Sequence, residues 1–166
     1  MNIYSPIGFP SVKNYKMAIS YGLLFSIGTI IAGFLTGEVA DLYYLDATRD
    51  MTEETGLSLH GLLLLAVFLA PFIETFVYQF LIIEIVGSYT YPRLAVSMGL
   101  STLFFSLSHL SPEGSRHAVI ALVTGSILSY IYIRASEYSS GLAFVMTSTT
   151  HMAHNIIVSM IILAVS

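Results

Sequence analysis

The chain has 166 residues, of which 55% are hydrophobic and only 10% are charged, and its mean hydropathy is +0.80. Because soluble domains carry roughly 25% charged residues, this composition argues against a water-soluble fold and for a surface that faces lipid. The formal net charge of -4 gives no reason to expect a nucleic-acid partner, and the absence of cysteine excludes disulfides and thiolate metal sites. We expect one membrane-embedded domain over residues 1–166.

Five apolar runs are long enough, or nearly so, to cross a hydrocarbon core, which takes about 20 residues per helix. Helices are the open-chain solution in lipid, because each helix satisfies its own backbone N–H and C=O groups. The sequence therefore predicts an all-α bundle of five transmembrane helices, with the N-terminus and the C-terminus on opposite sides of the membrane. The predicted spans are residues 17–36, 61–86, 94–110, 117–133 and 141–166.

The first span follows an N-terminal tail, residues 1–16, without a small-residue cleavage motif after the apolar run, so we interpret the span as a membrane anchor. Gly28 and Ala32 lie four residues apart in it, a spacing that lets helix backbones approach closely.

The connection 37–60 is acidic and is predicted to lie outside the membrane, as a solvated connector or as a segment at the interface. The distribution of Lys and Arg weakly favours an N-terminus on the inside.

Glu74 lies near the middle of the second span, three residues after Pro71. An ionisable group within lipid costs roughly 2.5–3.5 kcal/mol on insertion scales, so it is a candidate functional residue. Because proline lacks an N–H, Pro71 is expected to loosen the helical hydrogen bonds and make room for water. The carboxyl suits a general acid or base, or else a protonated Glu bonded to a neighbouring helix. Glu84, near the end of the same span, is expected to reach the interface.

The third and fourth spans are separated only by residues 111–116, so we expect them to form an antiparallel hairpin. Small residues recur at four-residue spacing in Ala121, Gly125 and Ser129, which favours close helix packing. His60 and His117 begin the second and fourth spans, and interfacial placement explains both without a function.

His109 ends the third span, and three further polar residues, His151, His154 and Asn155, lie within the fifth. His151 and Asn155 are four residues apart, so they share one helical face and can direct two donors at one point. His154 is rotated by roughly 60° from His151 around the helix and could contact the same cavity only at its edge, so we predict a packing or supporting role for it.

Two kinds of chemistry use these groups. A zinc site could be assembled from Glu74, His109 and His151, with His154 as a further ligand, since three protein ligands and a water are usual for catalytic zinc. No compact ligand spacing such as H-E-x-x-H supports it. We therefore favour a water molecule activated by Glu74, with His151 and Asn155 stabilising an oxyanion, and we predict neither a metal nor another cofactor.

Three short motifs lie on separate apolar spans: PFIETFVYQ at residues 71–79, FSLSH at 105–109 and HMAHN at 151–155. They resemble the EExxxR, FxxxH and HxxxN motifs of the CPBP family of intramembrane peptidases, which includes the CAAX prenyl proteases and bacterial Abi proteins. The resemblance implies a metal-free, glutamate-type endopeptidase in a prokaryotic cell membrane, acting on a membrane-associated peptide or protein substrate. By this resemblance Glu74 and His109 activate the water, His151 and Asn155 form the oxyanion hole, and Phe105 supports the site.

The first motif departs from the family pattern, because Thr75 and Gln79 stand where the family has its second Glu and its Arg. The two residues are four apart and can hydrogen-bond, so we interpret them as a coupled neutral pair that replaces a buried ion pair beside Glu74. We expect the altered motif to remain active. Two other interpretations stay open: a binding or immunity protein without turnover, which would tolerate Glu74→Gln, and a small proton-coupled transporter, which would be expected to show inverted repeats.

Overall fold

The structure of the chain, a computed structural model, describes residues 10–36, 56, 58–89, 93–110 and 116–165. In these residues all regular secondary structure is helical, which confirms the predicted all-α bundle. The helices are α1 (Tyr15–Thr36), α2 (residues 59–89), α3 (Arg93–Leu107), α4 (Arg116–Ser136) and α5 (Ser140–Val165). Most of the predicted acidic loop, residues 37–55 and 57, and the first nine residues of the predicted tail lie outside the described residues.

Each of the five predicted spans corresponds to one helix. Three helices are long and apolar enough to cross a membrane by length and composition: Tyr15–Leu35, His60–Ser88 and His117–Ser136. A shorter apolar helix, Ala95–Leu107, lies beside them. The fifth helix, α5, is 26 residues long, and hydroxyl, imidazole and amide side chains interrupt its apolar sequence between residues 147 and 155. The chain is therefore an integral membrane protein built as a helical bundle.

Helix α1 has an apolar outer face and an inner face of small and polar residues, the arrangement expected where lipid is the solvent. Its buried residues include Ala18, Ser26 and Thr29. The close approach predicted at Gly28 is wrong, because a Cβ added there would meet nothing within 4 Å. The close approach occurs at Gly22 instead, where a Cβ would lie 2.6 Å from the carbonyl oxygen of Met146 in α5.

Helix α2 switches between α-helical and π-helical hydrogen bonding on both sides of Pro71. It is α-helical over Leu59–Leu64, Ala70–Glu74 and Ile82–Tyr89, and π-helical over Leu65–Leu69 and Thr75–Leu81. The missing N–H of Pro71 removes a backbone donor from the middle of this helix. The structure thus confirms that the helical hydrogen bonding is irregular here, and irregularity of this kind is frequent at functional sites.

Helices α3 and α4 form the predicted antiparallel hairpin. The hydroxyls of Ser101 and Ser129 are 2.8 Å apart at one end of the contact, and Ser106 donates to the carbonyl oxygen of Ala118 over 2.6 Å nearer the other end. The predicted small residues Ala121 and Ser129 are buried in this hairpin. Their burial confirms the close packing that the spacing indicates.

Helix α5 runs antiparallel to α2. Phe144 packs edge-on against Phe76, with ring centroids 6.3 Å apart, while farther along α5 the Asn155 amide reaches the backbone of Ala66. Near the far end of α2, Glu84, which we predict to reach the interface, bonds to two neighbouring helices. Its Oε1 accepts hydrogen bonds from Tyr132 of α4 (2.9 Å) and Ser140 of α5 (2.7 Å), so it links three helices.

Candidate active site

Glu74 and His151 meet between α2 and α5. Glu74 is the last residue of the short α-helical segment Ala70–Glu74, and a π-helical turn follows it. Its Oε2 lies 3.6 Å from Nε2 of His151, and the two side chains are 27% and 5% exposed. The carboxyl is therefore partly exposed at the surface of the bundle, while the imidazole is almost fully enclosed by protein.

Asn155 lies one turn farther along α5 and hydrogen-bonds to α2. Its Nδ2 donates to the carbonyl oxygen of Ala66 over 2.9 Å. That carbonyl lacks the usual backbone donors, because the N–H of Ala70 bonds to Leu65 in the π-helical turn and Pro71 has no N–H. The same irregularity that precedes Glu74 thus orients Asn155, and the second N–H of the amide is not used in this contact.

His109 lies in the turn that follows α3. The predicted span runs to residue 110, but α3 ends at Leu107, and the backbone N–H of His109 bonds to the carbonyl of Ser106 over 3.0 Å. Its Nδ1 lies 2.8 Å from the carbonyl oxygen of Phe105 and 3.2 Å from Oγ of Ser108. Because a carbonyl only accepts, Nδ1 carries the proton, and Nε2 of the neutral ring has a lone pair.

The ring of Phe105 packs between the histidines. It is 2% exposed, and its centroid lies 4.6 Å from that of His109 and 5.6 Å from that of His151. Tyr78 of α2 packs edge-on against it, with centroids 5.6 Å apart. On the opposite helix, a Cβ added to Gly125 would lie 2.6 Å from Cδ1 of Phe105, so only glycine admits the ring this closely.

Direct contacts join the same groups. The Glu74 carboxyl lies 3.6 Å from His151, and the Phe105 ring contacts both His109 and His151. Within the part of the chain that the structure describes, no three His, Cys, Asp or Glu side chains are arranged so that they could hold a metal ion. The arrangement can therefore combine the Glu74 carboxyl with the imidazoles of His109 and His151 and the Asn155 amide in acid–base and hydrogen-bond chemistry.

His154 lies on another side of α5 and contacts α1. Its Nδ1 is 3.1 Å from Oγ1 of Thr29, and both residues are buried. His154 is thus a buried side chain packed between α5 and α1, and its supporting role stays a prediction. No sequence signal points to Thr29 or to Ala66, because Thr29 belongs to no motif and Ala66 contributes only its carbonyl oxygen.

Thr75 and Gln79 are fully buried beside Glu74, but the expected hydrogen bond between them is not formed. Neither the Thr75 hydroxyl nor either end of the Gln79 amide has a hydrogen-bond partner among the described residues. The expectation assumed α-helical geometry, whereas both residues lie in the π-helical segment Thr75–Leu81. The wider turn changes the relative position of side chains four residues apart.

Comparison with known proteins places the chain in a family. A family model described as type II CAAX prenyl endopeptidase Rce1-like matches residues 56–157, which include Glu74, His109, His151 and Asn155. Comparison with curated proteins and with solved structures finds no match. Because the matched region covers more than half of the sequence, the chain belongs to the Rce1-like family of type II CAAX prenyl endopeptidases, a family of CAAX-protease-like peptidases whose substrates are peptides or proteins.

Proposed function

We propose that the protein is an intramembrane endopeptidase in which Glu74 activates a water molecule for attack on a peptide bond. The observation that carries this proposal is the pairing of Glu74 with His151 over 3.6 Å inside a helical bundle, with the carboxyl still 27% exposed. Catalytic contacts of this length are common before substrate binds and shorten in the reacting complex.

In the proposed reaction, the Glu74 carboxylate takes a proton from water as the water oxygen bonds to the peptide carbonyl carbon. The lone pair on Nε2 of His109 accepts a hydrogen bond from the same water. The peptide C–N bond then breaks, and the proton held by Glu74 passes to the departing nitrogen. The OH of the water thus becomes part of the new carboxyl group, and its other hydrogen is transferred to the new amine. No covalent enzyme intermediate forms.

His151 and Asn155 are the proposed donors to the oxyanion. The Nε2 atom of His151 faces a carboxylate, which favours a proton on that nitrogen, and the Asn155 amide has a second N–H beyond the one donated to Ala66. Preorganised donors of this kind contribute about 2.7–4 kcal/mol each to the transition state.

The decisive experiment compares Glu74→Gln with Glu84→Gln by proteomics of membrane peptides from cells that express each variant. Glu84 is a matched control, because it lies in the same helix and Gln keeps an oxygen that accepts from Tyr132 and Ser140. We expect cleavage products to disappear with Glu74→Gln and to persist with Glu84→Gln. Products that persist with Glu74→Gln would contradict the proposed base, and biological activity without any cleavage would support a binding or immunity protein.

We also propose that the reaction proceeds without a metal ion. Treatment of the purified protein with chelator should then leave turnover of a cleaved peptide unchanged. Turnover that is lost to chelator and restored by stoichiometric zinc would replace the carboxylate mechanism with a metal site.

A further inference from the structure

A buried hydrogen bond connects α1 to the turn of α5 that carries the proposed oxyanion donors. It joins Nδ1 of His154 to Oγ1 of Thr29 over 3.1 Å. His154 directly precedes Asn155 and lies three residues after His151. Thr29 is fully buried and His154 is 4% exposed, so water does not compete effectively for this contact.

The proton in this contact can be assigned. The Thr29 hydroxyl also lies 2.8 Å from the backbone carbonyl of Ser26. A carbonyl cannot donate, so the single hydroxyl proton of Thr29 belongs to that bond. Nδ1 of His154 must therefore be the donor, and the neutral ring is held as the Nδ1–H tautomer.

The position of Thr29 is fixed by close packing between α1 and α5. A Cβ on Gly22 would lie 2.6 Å from the carbonyl oxygen of Met146 and 2.8 Å from Cβ of Thr149. Gly22 and Thr29 are two helical turns apart on the same side of α1, so the glycine contact determines which residue faces His154. The matched family region begins at residue 56, so α1 lies outside it.

We propose that Thr29 is a positioning residue of the active site: it holds His154 as the Nδ1–H tautomer and thereby fixes the turn of α5 that carries His151 and Asn155. Its effect on catalysis rests on the proposed peptidase function. The His154 tautomer is a separate consequence, which requires no substrate for its measurement.

The test uses Thr29→Val, which keeps the shape of the side chain but lacks the acceptor, and Thr29→Ser, which keeps the hydroxyl. Ser26→Ala is the matched control on the same helix. Among the described residues, the hydroxyl that it removes bonds within α1, to the carbonyl of Leu23 over 2.7 Å. The Ser26 carbonyl that receives the Thr29 proton is retained.

The first measurement is nitrogen NMR of the histidine side chains in the full-length protein in bilayers, with the His154 signals assigned from their loss in His154→Asn. We expect the Nδ1–H pattern in the unchanged protein, in Thr29→Ser and in Ser26→Ala, and a different tautomer balance in Thr29→Val. An unchanged His154 spectrum in Thr29→Val would overturn the assignment of the proton.

The second measurement is turnover of a cleaved peptide. A small displacement of catalytic groups can cost about a hundredfold in rate, so we expect Thr29→Val to lower kcat by about ten- to a hundredfold at nearly constant KM, with recovery in Thr29→Ser. Thermal unfolding of each variant identifies loss of the fold. Full kcat in a folded Thr29→Val variant with a changed His154 spectrum would refute the positioning role alone, whereas unimpaired cleavage in Glu74→Gln would refute the proposed base.

Discussion

Hydrogen bonds to backbone carbonyls determine which atoms of the candidate site remain available for the proposed reaction. His109 donates from Nδ1 to Phe105, and Asn155 donates one amide N–H to Ala66. The remaining lone pair of His109 and the remaining N–H of Asn155 are the groups that the proposed reaction uses. The sequence predicts these residue types, but it could not predict their partners, because the partners depend on where α3 ends and where α2 changes its repeat.

His151 and Asn155 are the proposed oxyanion donors, and we expect alanine at either position to lower kcat by about 10²–10³ with little change in KM. Both variants should also lower the free energy of unfolding. Asn155→Ala should cost about 1–3 kcal/mol because the carbonyl of Ala66 loses its side-chain donor, and His151→Ala should leave a cavity where an enclosed ring packs against Phe105. Kinetics and thermal unfolding measure both effects, and His60→Ala, at an exposed position in the first turn of α2, is the control. A raised KM at constant kcat would instead assign the two residues to substrate binding.

Packing between α3 and α4 determines the position of the Phe105 ring and, through it, the two histidines that the ring contacts. The spacing of Ala121, Gly125 and Ser129 predicts a close helix contact, and the structure has one. That Gly125 faces an aromatic ring of the FxxxH motif could not be predicted, because the register between two helices depends on side-chain shape on both of them.

Gly125→Ala should therefore damage the site from the opposite helix. The new Cβ would lie 2.6 Å from Cδ1 of Phe105, so we expect the ring to shift, the free energy of unfolding to fall by about 1–3 kcal/mol, and kcat to fall with it. Gly99→Ala in α3 is the control, because its Cβ would meet nothing within 4 Å. Alanine should stabilise that helix slightly, by up to about 1 kcal/mol. Equal stability and activity in the two variants would show that neither property depends on the position of the Phe105 ring.

The π-helical turn after Glu74 holds Thr75 and Gln79 in the interior, where a charge needs a partner. Thr75→Glu alone and Gln79→Arg alone each bury an unpaired charge and should cost about 3–5 kcal/mol, while the double change restores the pairing of the family motif. A double-mutant cycle on thermal stability and activity should therefore show strong favourable coupling. Losses that simply add would mean that the two positions are independent in this chain.

The bundle as a whole follows from the lengths of the apolar runs, which predict all five helices. The inner face of α1 could not be identified from hydrophobicity, because the apolar side chains of this helix face outward and its small or polar ones face inward. The close contacts that we expected at Gly28 are therefore made by Gly22 and Thr29. The π-helical turns of α2 are also unpredicted in detail, since Pro71 indicates an irregularity but neighbouring helices decide its form.

The direction of the helices predicts the sidedness of the chain. Gly22 lies beside Met146 and Thr29 beside His154, so residue numbers rise together in α1 and α5 and the two helices run parallel. Helix α2 runs antiparallel to α5. Helix α4 runs parallel to α2, because Tyr132 bonds to Glu84 while Gly125 lies beside Phe105, which packs against Tyr78. Since α3 is antiparallel to α4, the five described helices alternate in direction. The N-terminus and the C-terminus should then lie on opposite sides of the membrane.

Reporter fusions before α1, after α5 and within residues 111–115 measure this sidedness. Helix α3 is the critical element: its 15 residues extend about 22 Å at a rise of 1.5 Å per residue, while the hydrocarbon core is roughly 30 Å thick. A membrane thins locally around a short helix at modest cost, so we expect α3 to cross, the two terminal reporters to differ, and the 111–115 reporter to share the side of the C-terminal one. Terminal reporters on the same side would mean that one helix, α3 first of all, lies within the bundle without spanning the membrane.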